Sequence, residues 1–180
     1  MKKLLATAAM LLMVPLSVPA QNINQKSQGL GYVFIGAGTR QMGPTSGFGG
    51  EYLDKSGWGV GAELATAGWD TSAKYTSNWI GLGSLDLSYH LFPKKTRGYA
   101  PFVAGGYSIF FGQDTNTPIP GGNVTNGYNI AGGIDLFASK HIGVRFDGRY
   151  YAHGGSILFA SFPNLAQFNF VTFRIGLTFR

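Results

Sequence analysis

The final stretch of the chain, from Phe168 to Arg180, alternates apolar and polar residues with the period of a β-strand. From Val171 onward one parity is apolar and comprises Phe173, Ile175, Leu177 and Phe179. The other parity is polar or small and comprises Thr172, Arg174, Gly176, Thr178 and Arg180. Successive side chains of a strand point to opposite faces, so this stretch predicts a strand with one apolar face. A last strand of this kind favours a sheet that closes on itself and leaves no free edge.

Seven more strand-like runs precede the last one, with turn residues between them. The eight predicted strands are Leu30 to Gly38, Gly47 to Asp54, Trp58 to Trp69, Asn78 to Phe92, Tyr99 to Gly112, Gly127 to Ala138, Ile142 to Ala152 and Phe168 to Arg180. Most reach about ten residues, which is enough for a tilted strand to cross a bilayer. No segment after Ala20 shows a sustained helical period.

The predicted connections alternate in length. The second, fourth and sixth are short, whereas the other four are longer and include Gln113 to Asn126 and His153 to Gln167. Barrels of the bacterial outer membrane have short periplasmic turns and long outer loops. The pattern therefore predicts an all-β protein, an eight-stranded antiparallel up-and-down transmembrane barrel with both termini in the periplasm.

Charged residues fall on the face opposite the apolar one within their own strands. They are Glu51, Glu63, Asp86, Asp135, Arg145, Asp147, Arg149 and Arg174. Eight charges inside the apolar core of a soluble barrel would be very costly, but they suit the polar interior of a barrel that faces lipid. The first and fifth strands carry large apolar residues on both parities, and their faces are left unassigned. In the first, Val33 and Ile35 oppose Tyr32 and Phe34.

Aromatic residues gather near the two ends of the predicted strands, in the manner of interfacial girdles. Those toward the short turns are Tyr52, Trp58, Tyr89, Phe92, Tyr99 and Phe179. Those toward the long loops are Phe48, Trp69, Trp79, Phe111, Tyr128 and Tyr151.

The first twenty residues have the features of a secretory signal peptide. Lys2 and Lys3 precede an apolar run from Leu4 to Leu16, and small residues precede a predicted cleavage after Ala20. The run is too short to span a bilayer, which needs about 20 residues. We therefore expect residues 1–20 to be a signal peptide and residues 21–180 to form one barrel domain.

Composition narrows the possible chemistry. The chain has no cysteine, which excludes disulfides, thiol nucleophiles and thiolate metal sites. Only 12% of its residues are charged, about half of what soluble domains carry. The formal net charge of +6 is mild and scattered, and it does not indicate nucleic-acid binding. No cofactor or metal site is predicted.

The signal peptide, the eight alternating strands and the closing strand together resemble the small outer-membrane β-barrel domains of Gram-negative bacteria (OmpA/OmpX-like). The resemblance covers the whole mature chain and implies location in the outer membrane, contact with its lipid and lipopolysaccharide, and recognition by the barrel-assembly machinery. The family's C-terminal assembly signal is matched by Arg174, Gly176 and Phe179. Its final aromatic is absent, because Arg180 ends the chain.

Three functions remain open on the sequence. The first is a structural or interaction role through the extracellular loops, with an extracellular or periplasmic protein partner that the sequence does not identify and a lumen plugged by the interior charges. The second is a small pore or a channel for apolar or small solutes. The third is a lipid-modifying enzyme, because Asp86, Ser88 and His90 share one face of the fourth predicted strand. These three are consecutive on one strand and show no oriented base or oxyanion hole, so no enzyme is predicted.

The seventh predicted connection is unusually apolar for a loop. It contains Ile157, Leu158, Phe159 and Phe162, which are candidate contact residues. One interpretation is a segment folded onto the barrel rim, and the other is a surface that meets lipopolysaccharide, a partner or an apolar ligand.

Overall fold

The chain forms a closed barrel of eight antiparallel strands. The structure, a computed structural model, describes residues 28–39, 42–70, 77–91, 98–112, 124–153 and 169–180. The strands are β1 (Gln28–Gly38), β2 (Met42–Leu53), β3 (Trp58–Asp70), β4 (Ser77–His90), β5 (Tyr99–Gly112), β6 (Val124–Phe137), β7 (Ile142–His153) and β8 (Phe170–Phe179). Each strand pairs with the next, and β8 pairs with β1 from Phe179 opposite Gly31 to Thr172 opposite Gly38. The sheet therefore has no edge, as the closing strand predicts.

The predicted signal peptide, residues 1–20, lies outside the described residues. Within the ranges that are described, no helix has the length and apolarity needed to cross a membrane.

The start of β2 was predicted wrongly. β2 begins at Met42 rather than at Gly47, so the connection from β1 covers only residues 39–41. The sequence Gly43-Pro44 suggests a turn, but Pro44 pairs opposite Ala37 of β1. On its other side the register with β3 shifts between Met42 and Thr45. Such an irregularity tolerates proline, which cannot donate a hydrogen bond to the ladder.

The strict alternation of short and long connections is therefore wrong. Residues 91–98 separate β4 from β5, whereas only residues 39–41 separate β1 from β2 at the opposite end. The two longest connections, 113–123 and 154–169, do share one end of the barrel. We call that end the loop end. The other, where β1 begins, β8 ends and the connections 54–57, 91–98 and 138–141 lie, is the turn end.

The polarity of the barrel is reversed relative to a soluble protein. Apolar side chains cover the outside, with Val60 exposed by 67% and Leu85 by 66%, whereas Glu63 on the inside is exposed by 2%. The faces of the first and fifth strands are now assigned. Tyr32 and Phe34 point inward, as do Phe102 and Phe110.

The interior is layered along the barrel axis. Toward the turn end, Leu30, Leu53, Ala100 and Phe137 form a small apolar cluster. Toward the loop end lies a larger one that comprises Tyr32, Phe34, Met42, Ala65, Ala67, Ile80, Leu82, Phe110, Tyr151 and Phe170. The charged residues occupy the space between these two apolar layers.

Large inward side chains lie against inward glycines of the next strand. A Cβ atom at Gly49 would come within 2.5 Å of the Tyr32 ring. A Cβ at Gly133 would come within 2.8 Å of the Phe102 ring. An eight-stranded barrel is only wide enough for its side chains, so ring and glycine share the space that two ordinary side chains would fill.

The β2–β3 turn at the turn end is held by Asp54. Its Oδ1 accepts hydrogen bonds from the backbone N–H of Ser56 at 2.8 Å and of Trp58 at 3.0 Å, and Ser56 Oγ also donates to it at 2.7 Å. The hydrogen bond from the Ser56 hydroxyl is the main reason that the pKa of Asp54 is below its usual value. Gly57 closes the turn with φ of 95°, a conformation that favours glycine.

Candidate functional site: the lumen charge network

The lumen brings together the eight charged residues that the alternation places on the inner face. None of their side chains is more than 8% exposed. Each of the three arginines, on β7 and β8, reaches across to an acid on the opposite wall. Arg145 Nη2 donates to Glu51 Oε1, Arg149 Nη1 to Asp86 Oδ2 and Arg174 Nη1 to Glu63 Oε1, each at 2.6 Å.

Each arginine also contacts a second carboxylate. Arg145 bonds its register partner Asp135 through Nε at 2.8 Å and Nη2 at 2.9 Å. Arg174 Nε donates to Asp147 Oδ1 at 2.7 Å, again across a register pair. Arg149 Nη2 lies 3.6 Å from Glu63 Oε2. The forked guanidinium suits this bridging, because it presents several donors in one plane.

Aromatic rings enclose the arginines. Arg145 Cζ lies 4.3 Å from the centroid of the Tyr32 ring and 4.4 Å from that of the Phe102 ring. Arg174 Cζ lies 4.2 Å from the centroid of the Phe34 ring. These cation–π contacts connect β1 and β5, which carry no inward charge, to the network.

Neutral polar groups complete the hydrogen bonding of the acids. Tyr32 and Tyr151 donate to Glu63 at 3.1 Å and 3.4 Å. Asn129 Nδ2 donates to Asp86 Oδ1 at 2.8 Å and to Ser108 Oγ at 2.9 Å. Sequence reasoning did not single out Tyr32, Asn129 or Ser108 as network residues. Asn129 shares the parity of Asp135 on β6, which was a signal for it, whereas Tyr32 and Ser108 lie on the two strands whose faces the sequence left unassigned.

The arrangement of Asp86, Ser88 and His90 differs from a catalytic relay. Ser88 Oγ donates to Glu51 Oε2 at 2.7 Å, and His90 Nε2 lies 3.0 Å from the same oxygen. Asp86 is engaged by Arg149 instead of orienting the histidine. In a serine–histidine–acid triad the histidine is placed between the hydroxyl and the acid. Here the hydroxyl and the histidine converge on one carboxylate.

The described lumen contains more acid than base. Five carboxylates, those of Glu51, Glu63, Asp86, Asp135 and Asp147, face the three arginines of this layer. The His90 ring also contacts these acids, and its Nδ1 lies 3.8 Å from Asp135 Oδ2. A fourth arginine, Arg180, turns inward at the turn end, with its Cζ 3.3 Å from the centroid of the Phe137 ring. Among the described residues, no group of three or more acidic or histidine side chains is placed to hold a metal ion.

The remaining predicted residues divide into three groups. Arg174 and Gly176 of the assembly signal point inward, whereas Phe179 points outward and is 41% exposed. Tyr151, predicted for an interfacial girdle, is buried in the lumen at 1% exposure, so that prediction is wrong. The loop residues Ile157, Leu158, Phe159 and Phe162 lie outside the described residues.

Comparisons by sequence find nothing: neither a protein-family model nor a curated protein matches the chain. Solved structures do match its fold. The N-terminal β-barrel domain of Pseudomonas aeruginosa OprF superposes with a TM-score of 0.60 at 15% identity, over 86% of this chain and 98% of that one.

Two further structures agree less closely. The outer-membrane protein OprG from Pseudomonas aeruginosa gives a TM-score of 0.50 at 13% identity over 86% of this chain and 97% of that one. The outer-membrane enzyme PagL gives 0.50 at 11% identity over 83% and 97%. These likenesses show that the chain has the fold of the small outer-membrane β-barrels. Together with the apolar exterior, the fold places the chain in the outer membrane, as the sequence predicts.

Proposed function

We propose that this protein is a non-conducting outer-membrane barrel with a structural or interaction role, in which the lumen serves as a packed core. One observation carries the proposal. The three lumen arginines each contact two carboxylates, and this charged layer lies between two apolar clusters.

Ions or water that cross the lumen would have to displace its buried ion pairs. Breaking a buried ion pair by removing one partner costs about 3–5 kcal/mol, because an uncompensated charge remains. A permeating ion would need to separate several such pairs and also cross both apolar layers. A closed barrel is then a rigid membrane anchor, and its connections are the parts that remain available to other molecules.

Planar-bilayer recording tests the closed lumen. We expect the folded wild-type protein to give no steady unitary conductance, while a sixteen-stranded porin prepared in parallel conducts, as its water-filled channel requires. Heat-modifiable gel mobility of the protein recovered from the same vesicles verifies that folded barrel was present. Steady steps that scale with salt concentration would contradict the proposal and support the small pore.

A further inference from the structure

The charges of the chain are divided unequally along the barrel axis. At the turn end the described residues outside the lumen include the cations Lys55 and Lys140 and the acid Asp54, whereas Arg180 turns its guanidinium inward over the Phe137 ring. The sequence of the β4–β5 connection at that end adds Lys94, Lys95 and Arg97 and no acid. The connections and strand ends at the loop end balance, with Arg40 and Lys74 against Asp70 and Asp114. The excess positive charge outside the lumen therefore belongs to the turn end.

Two lysines present this charge on fixed turns. Lys55 and Lys140 are both exposed, and neither has an ion-pair partner among the described residues. Asp54 holds the turn that carries Lys55. In the other turn, Ser139 Oγ accepts hydrogen bonds from the backbone N–H of His141 at 3.2 Å and of Ile142 at 3.0 Å.

Both lysines lie at the level where the hydrocarbon ends. Trp58, three residues after Lys55, is 51% exposed on the barrel exterior, and its ring centroid is 5.0 Å from that of Tyr89. Ile142, two residues after Lys140, is 50% exposed on the same surface. Tryptophan and tyrosine sit at the headgroup level of a membrane, and lysine side chains extend toward it. A lysine ammonium at this level can reach lipid phosphates.

We propose that this basic rim, Lys55 and Lys140, binds anionic phospholipid headgroups in the leaflet at the turn end. The ligand is a phosphodiester with net negative charge, such as phosphatidylglycerol. Lysines at an anionic membrane surface attract such lipids. We expect a local enrichment of roughly two- to five-fold over the bulk mole fraction, weakened by salt because the interaction is screened.

The tryptophans provide a test with an internal control. Trp58 lies at the turn end and Trp79 at the loop end, and each is 51% exposed to lipid. A Trp69→Phe/Trp79→Phe variant keeps only the first, and a Trp58→Phe/Trp69→Phe variant keeps only the second. Each is folded into phosphatidylcholine vesicles that contain phosphatidylglycerol at fixed mole fraction. Bromine atoms, which quench tryptophan fluorescence, are placed on the acyl chains of either phosphatidylglycerol or phosphatidylcholine. The extent of quenching then reports which lipid surrounds each tryptophan.

We expect brominated phosphatidylglycerol to quench Trp58 more than its bulk fraction predicts, and to quench Trp79 in proportion to that fraction. Adding Lys55→Gln and Lys140→Gln should remove the excess at Trp58, and 0.5 M salt should reduce it on the order of several-fold. Because both leaflets of the vesicle have the same composition, the direction of insertion does not affect the comparison. Heat-modifiable gel mobility confirms that every variant is folded.

Three results would overturn the proposal: no excess at Trp58, an equal excess at Trp79, or an excess that survives the two lysine substitutions. A fourth would replace the lipid with an acidic protein partner. In that case Trp58 shows no lipid preference, while soluble poly-glutamate binds the wild-type barrel and fails to bind the Lys55→Gln/Lys140→Gln variant.

Discussion

Single residues in this lumen are constrained by space as much as by charge. Tyr32 lies inside because Gly49 on β2 leaves room for its ring, and Phe102 lies inside because Gly133 on β6 does the same. The abundance of glycine in the chain, 28 residues, is therefore partly a packing requirement of a narrow barrel.

Substituting Gly49 by Ala should be destabilising, because the new methyl group would meet the Tyr32 ring at 2.5 Å. We expect a loss of about 1–3 kcal/mol in the free energy of unfolding, the usual cost of overpacking. Urea unfolding in lipid vesicles, followed by tryptophan fluorescence, measures it. Gly31→Ala is the matched control, since no atom lies within 4 Å of a Cβ there. Equal stability of the two variants would rule out the packing argument.

The stability that the β2–β3 turn contributes should depend on pH through the ionisation of Asp54. The folded-state pKa of Asp54 is lowered, so its stabilisation is present above the ordinary carboxyl pKa and is lost as pH falls through the folded value. We expect wild type to be more stable than Asp54→Asn at neutral pH and the difference to vanish in acid. Comparing the two unfolding midpoints at each pH removes the common contribution of the lumen acids. A difference that stays constant from neutral pH into acid would refute this assignment.

Much of the residue-scale picture follows from alternation alone. A strand that carries Arg145, Asp147 and Arg149 on one parity can hardly place that parity in lipid. Which acid meets which arginine does not follow, because cross-lumen partners such as Arg174 and Glu63 are set by the stagger of strands that are far apart in the chain. The position of Tyr151 was likewise not predictable from the sequence. Its place near a strand end predicts an interfacial ring, but the structure buries it in the lumen.

At the scale of elements, β8 ties the barrel together in two ways. Its backbone pairs with β1 and β7, and Arg174 at its centre bonds Asp147 on β7 and Glu63 on β3. The closing strand is thus joined both to its neighbours and to the opposite wall.

Arg174→Met should destabilise the barrel by about 3–5 kcal/mol, because it leaves two buried carboxylates without their shared partner. Adding Glu63→Gln should recover part of this loss, so that the double variant is less destabilised than the sum of the single ones. Urea midpoints of the four proteins give the coupling. Lys140→Met, at an exposed turn position, should change stability by less than ~0.5 kcal/mol. Strict additivity of Arg174→Met and Glu63→Gln would show that this pair is not coupled.

Element boundaries were predictable where the turn chemistry is simple. The predicted β5, Tyr99 to Gly112, coincides with the observed strand, and β3 differs by one residue at its end. β2 was misjudged because Gly43-Pro44 has the composition of a turn, while its actual role depends on a register shift against β3. That shift is a property of the pair of strands and leaves no mark in either one alone.

At the scale of the whole molecule, the apolar surface, the excess of acid and the excess of positive charge occupy separate regions of the barrel. The exterior is apolar around the barrel, the lumen holds an acid surplus, and the positive excess lies at the turn end. The OprF domain has the same fold at 15% identity. A fold can persist at that level because the bilayer constrains the period and the faces of the strands and leaves individual residues free to vary.

The alternation of inward polar and outward apolar side chains also affects how accurately neighbouring strands align during assembly. A strand paired one residue out of step would turn its inner side chains outward, and an arginine on the lipid face costs about 2–4 kcal/mol at the bilayer midplane. For β7, the cost of placing its arginines in the hydrocarbon disfavours such a shift. β1 and β5 carry no inward charge, so a shift of either strand would place no charge in the hydrocarbon and would not incur this cost. They are also the two strands whose faces the sequence left unassigned. Their alignment is specified instead by shape, through Tyr32 seated on Gly49 and Phe102 seated on Gly133.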